Sequence, residues 1–218
     1  MAYKPALWAL NCMKGVLREF LPPHIRFVRS GSHFLAHGEP EVHELPRLVE
    51  PGTVAVDVGA NIGCYAFALC RAVGPEGHVL CVEPLEDLAR LLRAAADRLG
   101  LPMTVVNCAL SFQPGTADLQ IPWVLGQRRH AFASFEHAGN GGETHRVELR
   151  RLDDVVAGVG RRISFIKIDA EGHELAILRG TAWRPCKTTS ALVRCQKIPA
   201  PFRRTEIRPF HPCEEGGR

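Results

Sequence analysis

The amino-acid sequence predicts an α/β domain in which a mostly parallel β-sheet carries helices on both faces. Between residues 50 and 180, short β-branched runs alternate with longer segments of helical periodicity. This alternation is typical of βαβ units, whose right-handed crossovers bring the strands into one parallel sheet. The chain has 218 residues, of which 46% are apolar, so it can bury a core without disulfides or metals.

Three strands and two helices are predicted in the first half of this region. They lie at residues 53–58 (strand), 62–73 (helix), 78–83 (strand), 84–100 (helix) and 103–110 (strand). Glycines follow both helices, and the second helix carries a proline and two acids in its first turn. These are the usual signals for the end and the start of a helix.

The second half of the region is predicted to leave the parallel sheet and then return to it. Residues 117–122 and 145–152 alternate apolar with polar side chains, as half-buried antiparallel strands do. The stretch between them is rich in glycine, histidine and asparagine, which is typical of a mobile loop. The parallel pattern resumes with a strand at 163–169 and a helix at 171–180.

Residues 1–49 are predicted to form an N-terminal amphipathic helix and a lead-in segment. The residues that share one apolar face are Leu10, Met13, Leu17 and Phe20. Pro22 and Pro23 are expected to end this helix. Two interpretations remain open, since such a helix either packs on the domain or binds a membrane surface or a partner.

The apolar runs and the cysteines indicate where the protein is located and whether it binds a metal. No run approaches the roughly 20 residues that span a bilayer, and no signal-peptide cleavage site follows the N-terminal segment. The eight cysteines include no C-x-x-C pair, and those at positions 186, 195 and 213 match no zinc-binding spacing. We therefore predict free thiols, no bound metal, no membrane span and a cytoplasmic location.

The positive charge is concentrated in the C-terminal tail. Residues 184–218 contain eight Lys and Arg, three Glu and five Pro, and they have no sustained helical or strand period. This composition predicts a basic, disordered tail. The rest of the chain is close to neutral and lacks a basic groove, so nucleic acid is not an expected partner.

Polar residues end the predicted parallel strands, where α/β sheets bind their ligands. Asp57 and Glu83 end the first two strands, and Asp169 and Glu171 follow the strand at 163–169. Carboxylates at one edge of a sheet can hold hydroxyl groups, ammonium groups or a divalent cation. Acids that begin a helix are equally explained by the helix dipole, so both interpretations remain open for Glu171.

A glycine turn after the first strand predicts a nucleoside cofactor. Gly59 and Gly63 allow the backbone to approach a ligand, and Glu83 follows at the position of a ribose-binding carboxylate. The G-x-G-x-x-G spacing of dinucleotide sites is missing, and Asp57 would repel a pyrophosphate but attract an ammonium group. These observations favour S-adenosylmethionine over NAD.

Five motifs together resemble the FkbM family of class I S-adenosylmethionine-dependent methyltransferases. They are DVGANIG at 57–63, VEP at 82–84, NCALS at 107–111, RLDDVV at 151–156 and IKIDAEGHELAILRG at 166–180. The resemblance covers residues 50–183. It implies a Rossmann-like methyltransferase fold and methyl transfer to an oxygen of a sugar or another small molecule.

The resemblance also implies roles for particular residues. The methionine end of the cofactor would lie at Asp57, Gly59, Asn61 and Gly63, the ribose at Glu83, and the adenine at Cys108 and Ala109. The acceptor hydroxyl must lose a proton, so a base is required beside it. Asp169 and Glu171 are the leading candidates for that base, followed by His173.

The sequence departs from the family pattern after Gly180. We expect the usual C-terminal strands to be missing, which would leave the strand at 163–169 as an exposed edge open to self-association. Alternatively, ALVRC at 191–195 supplies a substitute strand. The departure also favours a second function, a catalytically silent relative that binds the cofactor or serves as an interaction module.

Overall fold

The structure is a computed structural model that describes residues 20–124, 127–128, 135, 142–181, 190–193 and 206–209. Its helices are α1 (Pro23–His37), a 3₁₀ helix (Pro40–Glu44), α2 (Leu45–Leu48), α3 (Cys64–Val73), α4 (Glu86–Leu99), α5 (Leu152–Val156) and α6 (Glu174–Arg179). Its strands are β1 (Val54–Val58), β2 (His78–Val82), β3 (Met103–Val106), β4 (Ala109–Leu110), β5 (Gly115–Val124), β6 (Gln127–Arg128), β7 (Gly142–Arg150), β8 (Ile163–Ile168), β9 (Ser190–Val193) and β10 (Glu206–Pro209).

The main sheet has six strands in the order β10-β9-β8-β1-β2-β3. All neighbours are parallel except β10, which pairs antiparallel with β9. The predicted mostly parallel α/β sheet is therefore confirmed. Because the strands are parallel, the carboxyl ends of β1, β2 and β8 meet at one edge.

Helices cover both faces of the main sheet, as predicted. Two groups of buried side chains form the layers, one from Phe27, Leu69, Leu92 and Phe165 and the other from Val56, Leu152, Ile166 and Ile177. The first group joins α1, α3 and α4 to one face, and the second joins α5 and α6 to the other. Burying each such side chain contributes roughly 1.5–3 kcal/mol.

The predicted antiparallel excursion is confirmed and forms a second sheet. β5 pairs with β7 from Gly115–Leu149 to Pro122–Gly142, in a sheet of order β4-β7-β5-β6. The single strand expected at 103–110 is instead divided between the two sheets. The division occurs at Asn107, whose Nδ2 donates to the carbonyl oxygens of Glu83 (2.8 Å) and Pro84 (3.0 Å) and so turns the chain.

The two prolines near the N-terminus begin a helix. Pro23 is the first residue of α1 and Pro22 is its N-cap, a position that proline tolerates because the first helical N–H groups have no partner within the helix. The predicted helix up to Phe20 lies almost wholly outside the described residues, and Phe20 itself is exposed. The sequence interpretation missed α1, because it treated residues 24–49 as a lead-in segment.

The expectation that C-terminal strands are missing is wrong. β9 pairs in parallel with β8, with Phe165 opposite Ser190 and Ile168 opposite Val193, and β10 extends the sheet beyond β9. Four-residue strands in a Pro- and Arg-rich segment have no detectable period, which is why β10 was missed and β9 was predicted only as an alternative. The alternative in which ALVRC supplies a strand agrees with the structure for residues 191–193. The uncovered β8 edge that predicted self-association is thus covered by β9.

Within the described residues, no helix is long and apolar enough to cross a membrane.

Candidate active site

A cavity of about 570 Å³ opens at the carboxyl edge of the main sheet. Residues at the ends of three strands line it, among them Gly59, Glu83 and Asp169. Further walls come from α1, from the start of β4 and from the loop before α6. Most of the predicted site residues therefore meet in one concave space of a size that suits a small molecule.

The turn after β1 brings two strand ends into contact at Gly59. This glycine has a φ of +73°, and a Cβ atom there would collide with the carbonyl oxygen of Asp169. Only glycine satisfies both requirements, because the left-handed region is unfavourable for other residues. The backbone at Gly59 consequently forms an open cradle on the cavity wall.

Glu83 is 4% exposed and holds this turn from the end of β2. Its Oε2 accepts the N–H of Asn61 (2.7 Å), and its Oε1 accepts the N–H of Leu85 (2.9 Å). Burial raises the pKa of Glu83 to about 7, although the two N–H donors oppose the rise. Each carboxylate oxygen keeps a lone pair for a further donor, so the group can still accept ligand hydroxyls.

Asn61 lines the cavity and completes the turn. Its φ is +52°, and its Oδ1 accepts the N–H of Ile62 at 2.8 Å. Asparagine tolerates the left-handed region because its side chain can bond to the local backbone in this way. Gly63, at φ +88°, caps α3 behind this turn, where a Cβ atom would collide with the Phe27 ring.

Asp57 lies beneath the cavity rather than on its wall. It is fully buried, and its Oδ1 contacts the Lys167 ammonium at 3.0 Å. Burial raises the pKa of Asp57, while Lys167 opposes the rise. The pKa of Lys167 is also raised, because the carboxylates of Asp57 and Asp169 outweigh the effect of its own burial. Asp57 is therefore placed to hold Lys167 and does not face a ligand.

Lys167 links the ends of β1 and β8 and lines the cavity. Its Nζ donates to the carbonyl oxygen of Gly59 (2.9 Å) and lies 3.8 Å from Asp169 Oδ2. It also lies 5.1 Å from the centre of the Tyr65 ring, within cation–π range. The structure gives it several partners at the centre of the site.

The loop after β8 brings Asp169 and Glu171 to the cavity. Its shape depends on Glu174, whose Oε1 accepts the N–H groups of Ala170 (2.9 Å) and Gly172 (3.0 Å). Glu171 has a φ of +49°, a strained conformation for this residue type. Glu174 is 2% exposed and acts as the internal brace of the loop, a role that the sequence analysis did not predict.

His173 also lines the cavity and is held from two sides. Its Nε2 lies 3.1 Å from Ser111 Oγ, and its ring packs against Phe135 with centroids 4.8 Å apart. Burial lowers the pKa of His173, with Glu174 opposing the shift. The imidazole is therefore neutral at pH 7 and can accept a proton.

Cys108 and Ala109 form a small apolar wall near the start of β4, beside Leu88 and Leu119. Burial raises the pKa of the Cys108 thiol to about 11, so it remains protonated and behaves as a small hydrophobic side chain. An apolar surface of this kind suits an aromatic ring.

The sequence analysis missed the wall that α1 provides. Arg26, Arg29, Ser30 and Phe34 line the cavity from this helix. The only sequence signal for this helix was the pair of prolines at its start, which was interpreted as the end of a preceding helix. Within the described part of the chain, no group of three or more His, Cys, Asp or Glu residues could hold a metal ion.

The family comparison matches the methyltransferase FkbM domain over residues 57–211. The chain belongs to the FkbM methyltransferase family. The match extends well beyond Trp183, where the sequence resemblance was expected to stop, and it includes β9 and β10. Together with the sheet order, it confirms the Rossmann-like class I methyltransferase fold.

Curated relatives are similar over part of their length. Methyltransferase sdnD of Sordaria araneosa is 30% identical, with 57% of this chain matching 59% of the relative. Methyltransferase 1 of Beauveria bassiana is 28% identical, with 57% of each chain matched. The AMB antimetabolite synthetase AmbE of Pseudomonas aeruginosa is 28% identical, with 61% of this chain matching 8% of that protein. The chain thus spans less than two thirds of these relatives.

Two solved structures are similar at low identity. The methyltransferase FkbM of Methylobacillus flagellatus has a TM-score of 0.43 and 18% identity, covering 83% of this chain and 46% of its own. The fibrillarin of Aeropyrum pernix, solved with bound S-adenosylmethionine, has a TM-score of 0.39 and 12% identity, covering 67% and 46%.

Proposed function

We propose that this protein binds S-adenosylmethionine in the cavity and transfers its methyl group to a hydroxyl oxygen of a small molecule or sugar. One observation carries the proposal. The buried Glu83 carboxylate, the Gly59 cradle, Asp169 and His173 all line the cavity. A carboxylate suited to a nucleoside and an imidazole suited to accept a proton thus share one space.

The residues present fit the cofactor. Glu83 would accept the ribose hydroxyls, Cys108 and Ala109 would border the adenine, and the turn at Gly59 and Asn61 would receive the methionine end. S-adenosylmethionine supplies an electrophilic methyl group on a sulfonium. Because Asp57 is fully buried against Lys167, Asp169 is the better placed carboxylate to meet the methionine ammonium.

His173 is the best-supported candidate for the base. A hydroxyl acceptor must lose its proton as the new bond forms, and a neutral imidazole in the cavity can accept it. The contact with Ser111 and the packing against Phe135 orient the ring. Within the described part of the chain, the imidazole has one hydrogen-bond partner, Ser111, which it contacts through Nε2. Its Nδ1 is therefore left for the acceptor. Asp169 and Glu171, predicted first from the sequence, line the same wall.

A small acceptor and a cytoplasmic location complete the proposal. The cavity volume suits a small molecule rather than a macromolecule. Cys70, Cys81 and Cys108 are buried free thiols, which supports a reducing compartment.

An assay for S-adenosylhomocysteine release across a panel of hydroxylated small molecules tests this function. We expect His173→Ala to lower kcat by about 10²- to 10⁴-fold, as for loss of a general base, and to leave cofactor affinity unchanged. His43→Ala, at an exposed histidine outside the cavity, is the matched control. Equal turnover by both variants would remove His173 as the base. A folded chain that binds the cofactor but methylates no acceptor would favour the catalytically silent alternative.

A further inference from the structure

Helix α1 places two arginines over the turn that forms the cofactor side of the cavity. Phe27 of this helix packs against Gly63, and the Cys64 thiol donates to the carbonyl oxygen of Ser30 at 3.8 Å. Arg26 and Arg29 lie on the same stretch of helix and line the cavity. Both arginines therefore border the same cavity as this turn.

The position of the arginines is not explained by helix stability. Both lie in the first two turns of α1, and the first turn contains no acidic residue. The positive end of the helix dipole favours carboxylates at this end and disfavours cations. Arg26, at the end of the first turn, therefore gains nothing from the helix dipole, and a bound anion would offset its unfavourable position.

Neither arginine is neutralised within the described residues, where Arg26 and Arg29 form no ion pair and no side-chain hydrogen bond. The nearby acid from the same segment, Glu39, instead accepts the hydroxyl of Tyr65 at 2.8 Å. Arginine side chains that line a cavity without a partner are suited to bind a carboxylate or phosphate, often through two parallel hydrogen bonds.

We propose that Arg26 and Arg29 form an anion-binding subsite at the α1 end of the cavity. The inference rests on the proposed function, because that function supplies two molecules able to carry the anion. One is the cofactor, through its methionine carboxylate. The other is an acceptor with a carboxylate or phosphate group, which would make the substrate an acidic hydroxylated compound.

The test combines three probes with two charge-matched double variants. The full chain is titrated with inorganic phosphate, followed by phosphorus NMR line broadening, and with S-adenosylhomocysteine and 5′-methylthioadenosine by calorimetry. The last compound lacks the amino-acid part of the cofactor. The variant is Arg26→Gln with Arg29→Gln. The control is Arg47→Gln with Arg71→Gln, at two exposed arginines outside the cavity.

Loss of phosphate binding in the variant, but not in the control, supports the subsite. If the anion comes from the cofactor, the variant also loses about 10- to 100-fold in affinity for S-adenosylhomocysteine but none for 5′-methylthioadenosine. If it comes from the acceptor, affinity for S-adenosylhomocysteine is unchanged, and phosphate still binds when that ligand is saturating.

Phosphate broadening that is equal in the wild type and the variant overturns the proposal. The failure of the proposed function would look different. In that case neither nucleoside would bind the wild type, while phosphate binding would still depend on Arg26 and Arg29.

Discussion

At the scale of the residue, the site depends on charges that are buried in pairs or held by N–H donors. Lys167 and Asp57 form a buried ion pair beneath the cavity, and Glu83 receives two backbone donors at its edge. The sequence predicted Asp57 and Glu83 as site residues because they end strands. It could not predict how deeply these side chains are buried, since burial depends on how β1, β2 and β8 assemble.

Removal of Lys167 should destabilise the fold. We expect Lys167→Met to lower the free energy of unfolding by about 3–5 kcal/mol, because Asp57 is left as an unpaired buried charge. Adding Asp57→Leu should recover a large part of this loss. Arg90→Met, which removes an exposed ion pair with Glu86, should cost less than about 1 kcal/mol. Urea unfolding measures all three, and a cost for Lys167→Met as small as that of Arg90→Met would contradict the pairing.

Gly59 should be intolerant of a side chain for a reason beyond its backbone conformation. Gly100 also has a positive φ, +62° against +73°, but has open space where a Cβ would lie. Both Gly→Ala variants therefore carry the cost of a positive φ, and only Gly59→Ala also meets the Asp169 carbonyl. We expect Gly59→Ala to be less stable than Gly100→Ala by about 1–3 kcal/mol in urea unfolding. Equal stabilities would mean that the two loops are not in contact.

The raised pKa of Glu83 should appear in the pH dependence of stability. Its folded-state pKa of about 7 lies above the usual 4.5, so between these values the folded state binds more protons than the unfolded state. The contribution of Glu83 to stability therefore falls as pH rises from about 4.5 to 7. Comparison of wild type with Glu83→Gln across this range should isolate that fall. Parallel stability curves would be inconsistent with a protonatable buried Glu83.

At the scale of the element, the sequence was informative where a periodic pattern extends over many residues. It was uninformative where the segment is short. α3, α4, β1, β2 and β8 are predicted to within two residues, because β-branched runs and apolar spacings of three and four identify them. The strand predicted at 103–110 extends four residues beyond the end of β3. α1 was missed because its proline pair indicates a start as well as a stop. β9 was predicted only as an alternative, because four residues of a strand that covers an edge carry no alternation.

β9 should keep β8 from associating with other chains. Deletion of residues 182–218 removes β9 and β10 and exposes the row of backbone groups along β8, whose side chains are apolar at Ile163, Phe165, Ile166 and Ile168. We expect the shortened chain to form oligomers or aggregates in size-exclusion chromatography with light scattering, whereas the full chain does so less. A shortened chain that stays as dispersed as the full chain would show that β9 is not needed as a cover.

At the scale of the whole molecule, the fold brings together groups that are far apart in the sequence. Glu83 and Asp169 could be assigned to one site because parallel strands share a carboxyl edge. The arginines of α1 could not, since nothing in the sequence places that helix over the Gly59 turn. We propose that this shared cavity binds an adenosyl cofactor through Glu83.

Calorimetric titration of the full chain with S-adenosylhomocysteine tests that claim most directly. Glu83→Gln removes the charge that would accept the ribose hydroxyls, and Glu76→Gln, in the loop before β2, is the matched control. We predict micromolar affinity in the wild type and the control, and a loss of at least about tenfold in Glu83→Gln. Absence of binding by the folded wild type, or equal affinity in all three proteins, would contradict the account.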